Sequence, residues 1–120
     1  MRLLPKEQSA AIIQEVKDVL TNSGFLIINQ EKSVEIMAEL DEGLFGWFTI
    51  NFLMNQLHRL PKSYAALDLG GGSTQVTFAP KWGSTLMEAP PAYLHDVAIS
   101  HDKVPIYSRS YLGLGLMAAR

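Results

Sequence analysis

Asp68-Leu69-Gly70-Gly71-Gly72-Ser73-Thr74-Gln75 decides how this chain is read. The apolar run Tyr64 to Leu67 leads into it, and the β-rich run Gln75 to Phe78 leads out. That pattern predicts strand, tight glycine turn, strand. Three glycines in a row permit positive φ and remove every Cβ from the turn. Bare N–H groups can then converge on one anion, as in a phosphate nest. Asp68 ends the first strand beside that nest, where a carboxylate would repel phosphate directly. The pairing makes chemical sense with a divalent cation, or water on one, between them. Ser73, Thr74 and Gln75 add short polar groups able to orient a water. The plain alternative is a hairpin whose glycines serve the turn alone. An acid before the glycines and Ser-Thr-Gln after them favour phosphate binding.

The second distinctive stretch lies upstream, from Asp41 to Leu57. Leu44, Trp47, Phe48, Ile50, Phe52, Leu53 and Leu57 cover most of a helix surface, and a helix apolar nearly all round is usually buried. Asp41 and Glu42 open it, where the helix dipole favours negative charge. One acid suffices for that purpose, which leaves the other free for chemistry. Gly43 and Gly46 cost helix propensity, so close packing is expected at both.

Around these two stretches the chain reads in simple pieces. Pro5 suits a helix start, Ile12, Val16, Val19 and Leu20 follow at helical spacing, and Asn22-Ser23-Gly24 stops the helix. Phe25 to Ile28 and Val34 to Ile36 read as short strands, with a polar turn from Asn29 to Ser33. Leu60-Pro61-Lys62-Ser63 is a junction. Thr85 to Met87 reads as a short extension. Val97 to Ile99 and Val104 to Tyr107 form a hairpin around His101-Asp102-Lys103, with Pro105 at an edge or in irregular pairing. Tyr111 onward, with Gly113 and Gly115, reads as the start of a closely packed helix that Arg120 cuts short, which suggests a truncated chain.

Composition narrows the field. The chain has 120 residues, 48% hydrophobic and 18% charged, with net charge −2. The basic residues are scattered, so no nucleic-acid footprint is expected. There is no cysteine, which leaves the redox compartment open. No run is long and apolar enough to span a bilayer. His58, His95 and His101 lack metal-ligand spacing, and neither a Walker-type loop nor a G-x-S-x-G nucleophile is present. Water is therefore the expected nucleophile.

At Asp41-Glu42-Gly43 and at Asp68 to Gln75 the sequence resembles the apyrase family, the ectonucleoside triphosphate diphosphohydrolases. Arg2-Leu3-Leu4-Pro5 is similar to the tail of the motif before that family's first helix. Gly46-Trp47 and Thr49 to Leu53 extend the catalytic-glutamate motif, and Asp68 to Gln75 resembles the second phosphate loop. Ser110 to Gly115 is similar to a segment of the soluble, diphosphate-preferring branch. The glycine loop alone recurs across the actin, Hsp70 and sugar-kinase superfamily, whereas the ordered set is specific.

The resemblance implies an α/β fold of the actin-like ATPase, ribonuclease H-like superfamily. Residues 1–60 would end one lobe and residues 61–120 begin the next. It implies hydrolysis of the terminal phosphate of nucleoside diphosphates, with triphosphates as a further substrate class: UDP, GDP, ADP or their triphosphates. Glu42 matches the general base, and Asp68 an acid holding Ca²⁺ or Mg²⁺ through water. Gly70, Gly71, Gly72 and Ser73 match the phosphate cradle, and Ser73 and Gln75 position the nucleophilic water. By resemblance alone, the location is the secretory lumen or outside the cell. Glu39 stands where the family has glycine. The position of a base-gripping arginine of cell-surface members falls at Leu116, which fits the soluble branch. The first phosphate loop of the family, Asp-x-Gly-Ser-Thr, is missing, so the isolated chain is expected to be inactive. The alternatives are another superfamily phosphatase, such as an exopolyphosphatase, or an inactive nucleotide-binding fragment.

Overall fold

The computed structural model describes residues 1–118 and divides into two compact units, Met1–Met37 and a second from Ala38 onward. The first holds α1 (Lys6–Asn22) and α2 (Gln30–Ser33). The Pro5 carbonyl accepts the Ser9 N–H at 3.0 Å, and Gly24, at φ 80°, carries the chain out of α1. The polar turn expected at Asn29 is instead the cap of α2: Asn29 Oδ1 accepts from the N–H groups of Glu31 and Lys32 at 3.0 and 3.1 Å, as short polar caps do. The two strands expected at Phe25–Ile28 and Val34–Ile36 do not form. A strand needs a neighbour for its N–H and C=O groups, and this unit contains no sheet.

The second unit packs one helix on one sheet. It comprises α3 (Glu39–Leu53), β1 (Ala66–Leu69), β2 (Ser73–Phe78), α4 (Gly83–Glu88), β3 (Leu94–Ile99) and β4 (Asp102–Leu112). The strands are antiparallel in the order β1-β2-β4-β3. β4 is long because it serves two partners. Its first half pairs with β3 over Asp102–Tyr107 and its second half with β2 over Tyr107–Leu112. Pro105 falls where β4 has β3 on one side and no β2 on the other, so its missing N–H costs no ladder bond. The extension expected at Thr85–Met87 is helical, part of α4.

Trp47, Ala66, Ala79 and Ile106 form the buried core, with Leu44, Phe48, Val97 and Val104 packed against it. α3 buries a single stripe, Gly43, Trp47 and Asn51, spaced four residues apart as one helix face requires. Phe52 and Leu53 remain exposed, so the apolar-all-round pattern does not produce a helix buried all round. Asn51 joins the helix to the segment that leads into β1: its amide donates to the Trp47 and Tyr64 carbonyls at 2.9 and 3.1 Å and accepts the Tyr64 N–H at 2.8 Å. Past Leu112 no helix follows among the described residues. Gly113 turns at φ 83°, and the next residues fold back on the glycine loop.

Candidate active site

Strand alternation sets the rows under α3. Asp68 lies opposite Gln75, which lies opposite Ser110; the next row is Ala66, Thr77 and Ser108. Residues opposed across strands share a face. On this face β2 presents Ser73, Gln75 and Thr77, all buried. The helix can lie close to that row because of one glycine. A Cβ on Gly43 would stand 2.6 Å from both Thr77 Oγ1 and Ser108 Oγ. Those hydroxyls bond each other at 2.9 Å beneath the helix. Gly46, expected to be equally close-packed, has nothing within 4 Å of its Cβ position; it faces an open cleft.

The close approach at Gly43 brings Glu42 to the sheet. Gln75 Nε2 lies 2.8 Å from Glu42 Oε2, 2.8 Å from Ser73 Oγ and 3.0 Å from Ser110 Oγ. Gln75 is 1% exposed, and its Oε1 is buried with no hydrogen-bond partner. A buried acceptor left unmade costs about 1–3 kcal/mol. Glu42, Asp68 and Gln75 all line one cleft of about 470 Å³ between α3 and β1. Helix start and hairpin thus bring together three residues that the sequence separates.

The glycine loop differs from expectation in its dihedrals. Gly70 and Gly71 do not take positive φ. The demand on the loop is close approach and peptide orientation. The Gly70, Gly71 and Gly72 carbonyls accept from the N–H groups of Leu116, Met117 and Gly113 at 2.9, 2.9 and 2.8 Å. In a trans peptide N–H and C=O point opposite ways. Pinning three successive carbonyls to residues 113–117 therefore aims the N–H groups of Gly71, Gly72 and Ser73 to the other side. Among the described residues, the N–H groups of Gly71 and Gly72 donate to no acceptor. Gly115 makes this clamp fit: a Cβ there would stand 2.4 Å from the Gly71 oxygen and 2.5 Å from Ser73 N. Thr74 Oγ1 adds a bond to the Leu114 carbonyl.

Metal chemistry finds less support in these residues. Among the described residues no group of three or more His, Asp or Glu side chains is placed to hold an ion. Asp68 is exposed on β1, and hard divalent cations take six or more oxygens. The residues present do not make a metal site by themselves.

A profile of the GDA1/CD39 (nucleoside phosphatase) family matches residues 1–120. The chain belongs to that family. It is 43% identical over 121 residues to ectonucleoside triphosphate diphosphohydrolase 5 of Mus musculus, covering all of this chain and 28% of the relative. The same identity holds to the nucleoside diphosphate phosphatase ENTPD5 of Homo sapiens, again covering all of this chain and 28% of the relative. Ectonucleoside triphosphate diphosphohydrolase 6 of Homo sapiens is 46% identical over 122 residues, all of this chain and 25% of the relative. The chain thus spans about a quarter of the length of the curated relatives it matches. The apyrase resemblance read from Asp41-Glu42-Gly43 and Asp68 to Gln75 is borne out at the level of the GDA1/CD39 family. Among the described residues, no helix is long and apolar enough to cross a membrane.

Sequence reasoning missed Ser110 as a partner of Gln75, the Thr77–Ser108 pair, and the 113–117 clamp. The signal for the first two was present as period-2 polar positions in Ser73-x-Gln75-x-Thr77 and Ser108-x-Ser110. Such alternation ordinarily marks a solvent face, and here it marks the buried one.

Proposed function

We propose that this chain is the segment of a nucleoside di- and triphosphate phosphohydrolase that supplies the general base and the second phosphate loop. The observation that carries this reading is Gln75 Nε2 held 2.8 Å from both Glu42 Oε2 and Ser73 Oγ. In-line phosphoryl transfer to water needs a positioned water, a base to take its proton, and donors for the charge on the equatorial oxygens. Glu42 takes the proton. Gln75, bonded to Glu42 and Ser73, holds both in place beside the cleft, where a water gives its proton to Glu42. The N–H groups of Gly71, Gly72 and Ser73, with Gly70 setting the turn, receive the terminal phosphate. Donors preorganised by the 113–117 clamp need no reorganisation as charge develops. Asp68, in the same row as Gln75, would be the acid of this segment that meets a Ca²⁺ or Mg²⁺ ion through water.

Family membership supports the wider setting. The relatives' names place nucleoside diphosphates and triphosphates as substrates of those proteins, and we extend them to the protein that carries this segment. In the actin-like fold we infer, α3 and the sheet belong to one lobe because they share a core, so the boundary expected near residue 60 moves upstream of α3. The site then lies at the cleft between lobes, where ligand sites commonly lie, in the secretory pathway. The test is a graft. The 121 matched residues of the human diphosphatase are replaced by this chain, and phosphate release from UDP and GDP is followed. The graft is expected to turn over. Glu42→Gln should lower kcat by about 10²–10⁴-fold with nucleotide affinity kept. A kcat within a few-fold of the parent graft would reduce Glu42 to a helix-dipole acid.

A further inference from the structure

We propose that Ser110 is a positioning residue for the hydrolysis, an inference that rests on the function proposed above. It anchors the Gln75 amide from the side away from the cleft, and through that amide it holds the Glu42 carboxylate. The strand register puts it there. Gln75 stands opposite Ser110 across β2 and β4. The Gly113 N–H donates to the Gly72 carbonyl at 2.8 Å, which fixes the alternation along this ladder. Gln75 and Ser110 are thereby a pair without backbone hydrogen bonds between them, and side chains stand closest in such pairs. The Ser110 hydroxyl accordingly lies 3.0 Å from Gln75 Nε2.

Gln75 needs that anchor. An ionised carboxylate only accepts, so Glu42 sets Nε2 rather than Oε1 toward itself. Oε1 is then left buried with no partner. Turning the amide out into the cleft that Gln75 lines would relieve the orphan atom. The bonds to Glu42, Ser73 and Ser110 oppose that turn. Glu42 borders the same cleft, and Ser73 lies on β2 itself, two residues before Gln75. Ser110 alone of the three lies on β4, on the side of β2 away from β1 and Asp68. Rather than the cleft, it lines a cavity of about 280 Å³ together with His95 and Ser108. Its effect on turnover therefore passes through Gln75 and not through contact with substrate. The NH2 group brings two hydrogens to three oxygens. With one on Glu42, the two hydroxyls share the other, so losing Ser110 loosens the anchor without stranding a hydrogen. The expected loss of rate is correspondingly modest.

The test has two arms. In the graft, Ser110→Ala is expected to lower kcat about three- to tenfold, the range one hydrogen bond provides, with KM for UDP unchanged. Ser110→Thr keeps the hydroxyl, its added methyl has room in the cavity that Ser110 lines, and kcat should return to the parent value. In the 120-residue chain, hydrogen exchange followed by NMR reads Gln75 directly. Its side-chain NH2 hydrogens should exchange slowly in the parent and in Ser110→Thr, and faster in Ser110→Ala. Exchange in Ser110→Ala as slow as in the parent, or an unchanged kcat for Ser110→Ala in an active graft, would overturn the proposal. A lower melting temperature with turnover per folded molecule intact would overturn it too, by making Ser110 a packing residue. An inactive parent graft would count against the hydrolysis reading, while exchange at Gln75 would still decide whether Ser110 anchors it, so the two fail separately.

Discussion

Replacing Gly115 with alanine should disorder the Gly70–Gly72 loop without changing any of its residues. The added Cβ would stand 2.4 Å from the Gly71 oxygen, 2.5 Å from its carbonyl carbon and 2.5 Å from Ser73 N. Ordinary contact begins near 3.4 Å, so backbone must move by about 1 Å, a distance over which an N–H···O bond is lost. The bonds at risk are Leu116 N–H to the Gly70 oxygen and Met117 N–H to the Gly71 oxygen, both 2.9 Å. Overpacking costs about 1–3 kcal/mol, and each lost bond about 1 kcal/mol net. Partial relaxation brings the expected loss to about 2–4 kcal/mol. Urea denaturation should report it as a lower midpoint at unchanged slope. Amide hydrogen exchange should report lost protection at Leu116 and Met117. Gly46→Ala is the control. Its Cβ meets nothing within 4 Å, so α3 should gain about 0.8–1 kcal/mol from helix propensity. If Gly115→Ala keeps its midpoint and protects both amides, the carbonyl clamp neither holds the loop nor aims its N–H groups.

Asn51→Ala should cost about 2–4 kcal/mol in the same denaturation assay, because it strands the Tyr64 N–H and carbonyl that Asn51 satisfies; a loss under 0.5 kcal/mol would mean solvent replaces it. Gln75→Met should leave stability within about 1 kcal/mol, since it trades the two bonds that one NH2 group can make for removal of an orphan acceptor, yet abolish turnover in the graft; retained turnover would remove Gln75 from the mechanism. Asp68→Asn in the graft should raise the Ca²⁺ or Mg²⁺ concentration needed for half-maximal rate, and an unchanged cation titration would leave Asp68 as a turn residue.

What the sequence made legible was local. The hairpin around Gly70–Gly72 follows from two β-prone runs and a glycine turn, and the helix from Glu39 follows from its acids and apolar spacing. The missed strands at Phe25–Ile28 and Val34–Ile36 have the same local signals, but a strand exists only with a partner. Thr85–Met87 went the other way: β-prone composition gave a turn of helix because neither sheet edge was offered to it. Gly43 and Gly46 illustrate the limit. Both are helix-weakening residues three apart, and only the register of β2 against β4 reveals that Gly43 sits on Thr77 and Ser108 while Gly46 faces a cleft.

The residues under α3 explain why the site was harder to read than the fold. A helix as apolar as Glu39–Leu53 would stack well on valines and leucines, and such a layer would leave no unsatisfied group. Instead β2 offers Ser73 at 5% exposure, Gln75 at 1% and Thr77 at 0%. Paired hydroxyls such as Thr77 and Ser108 are close to neutral in stability, so they are tolerated without being required. Gln75 is different. Its Nε2 faces three oxygens while its Oε1 faces none, an arrangement that packing alone does not favour. In the function proposed above, that amide holds the Glu42 carboxylate and the Ser73 hydroxyl in place. There Glu42 is the proposed base, and water the nucleophile it activates. Fold and proposed chemistry therefore part at one residue: Trp47 and Ile106 hold α3 on the sheet, and Gln75, at a cost in stability, ties Glu42 to it.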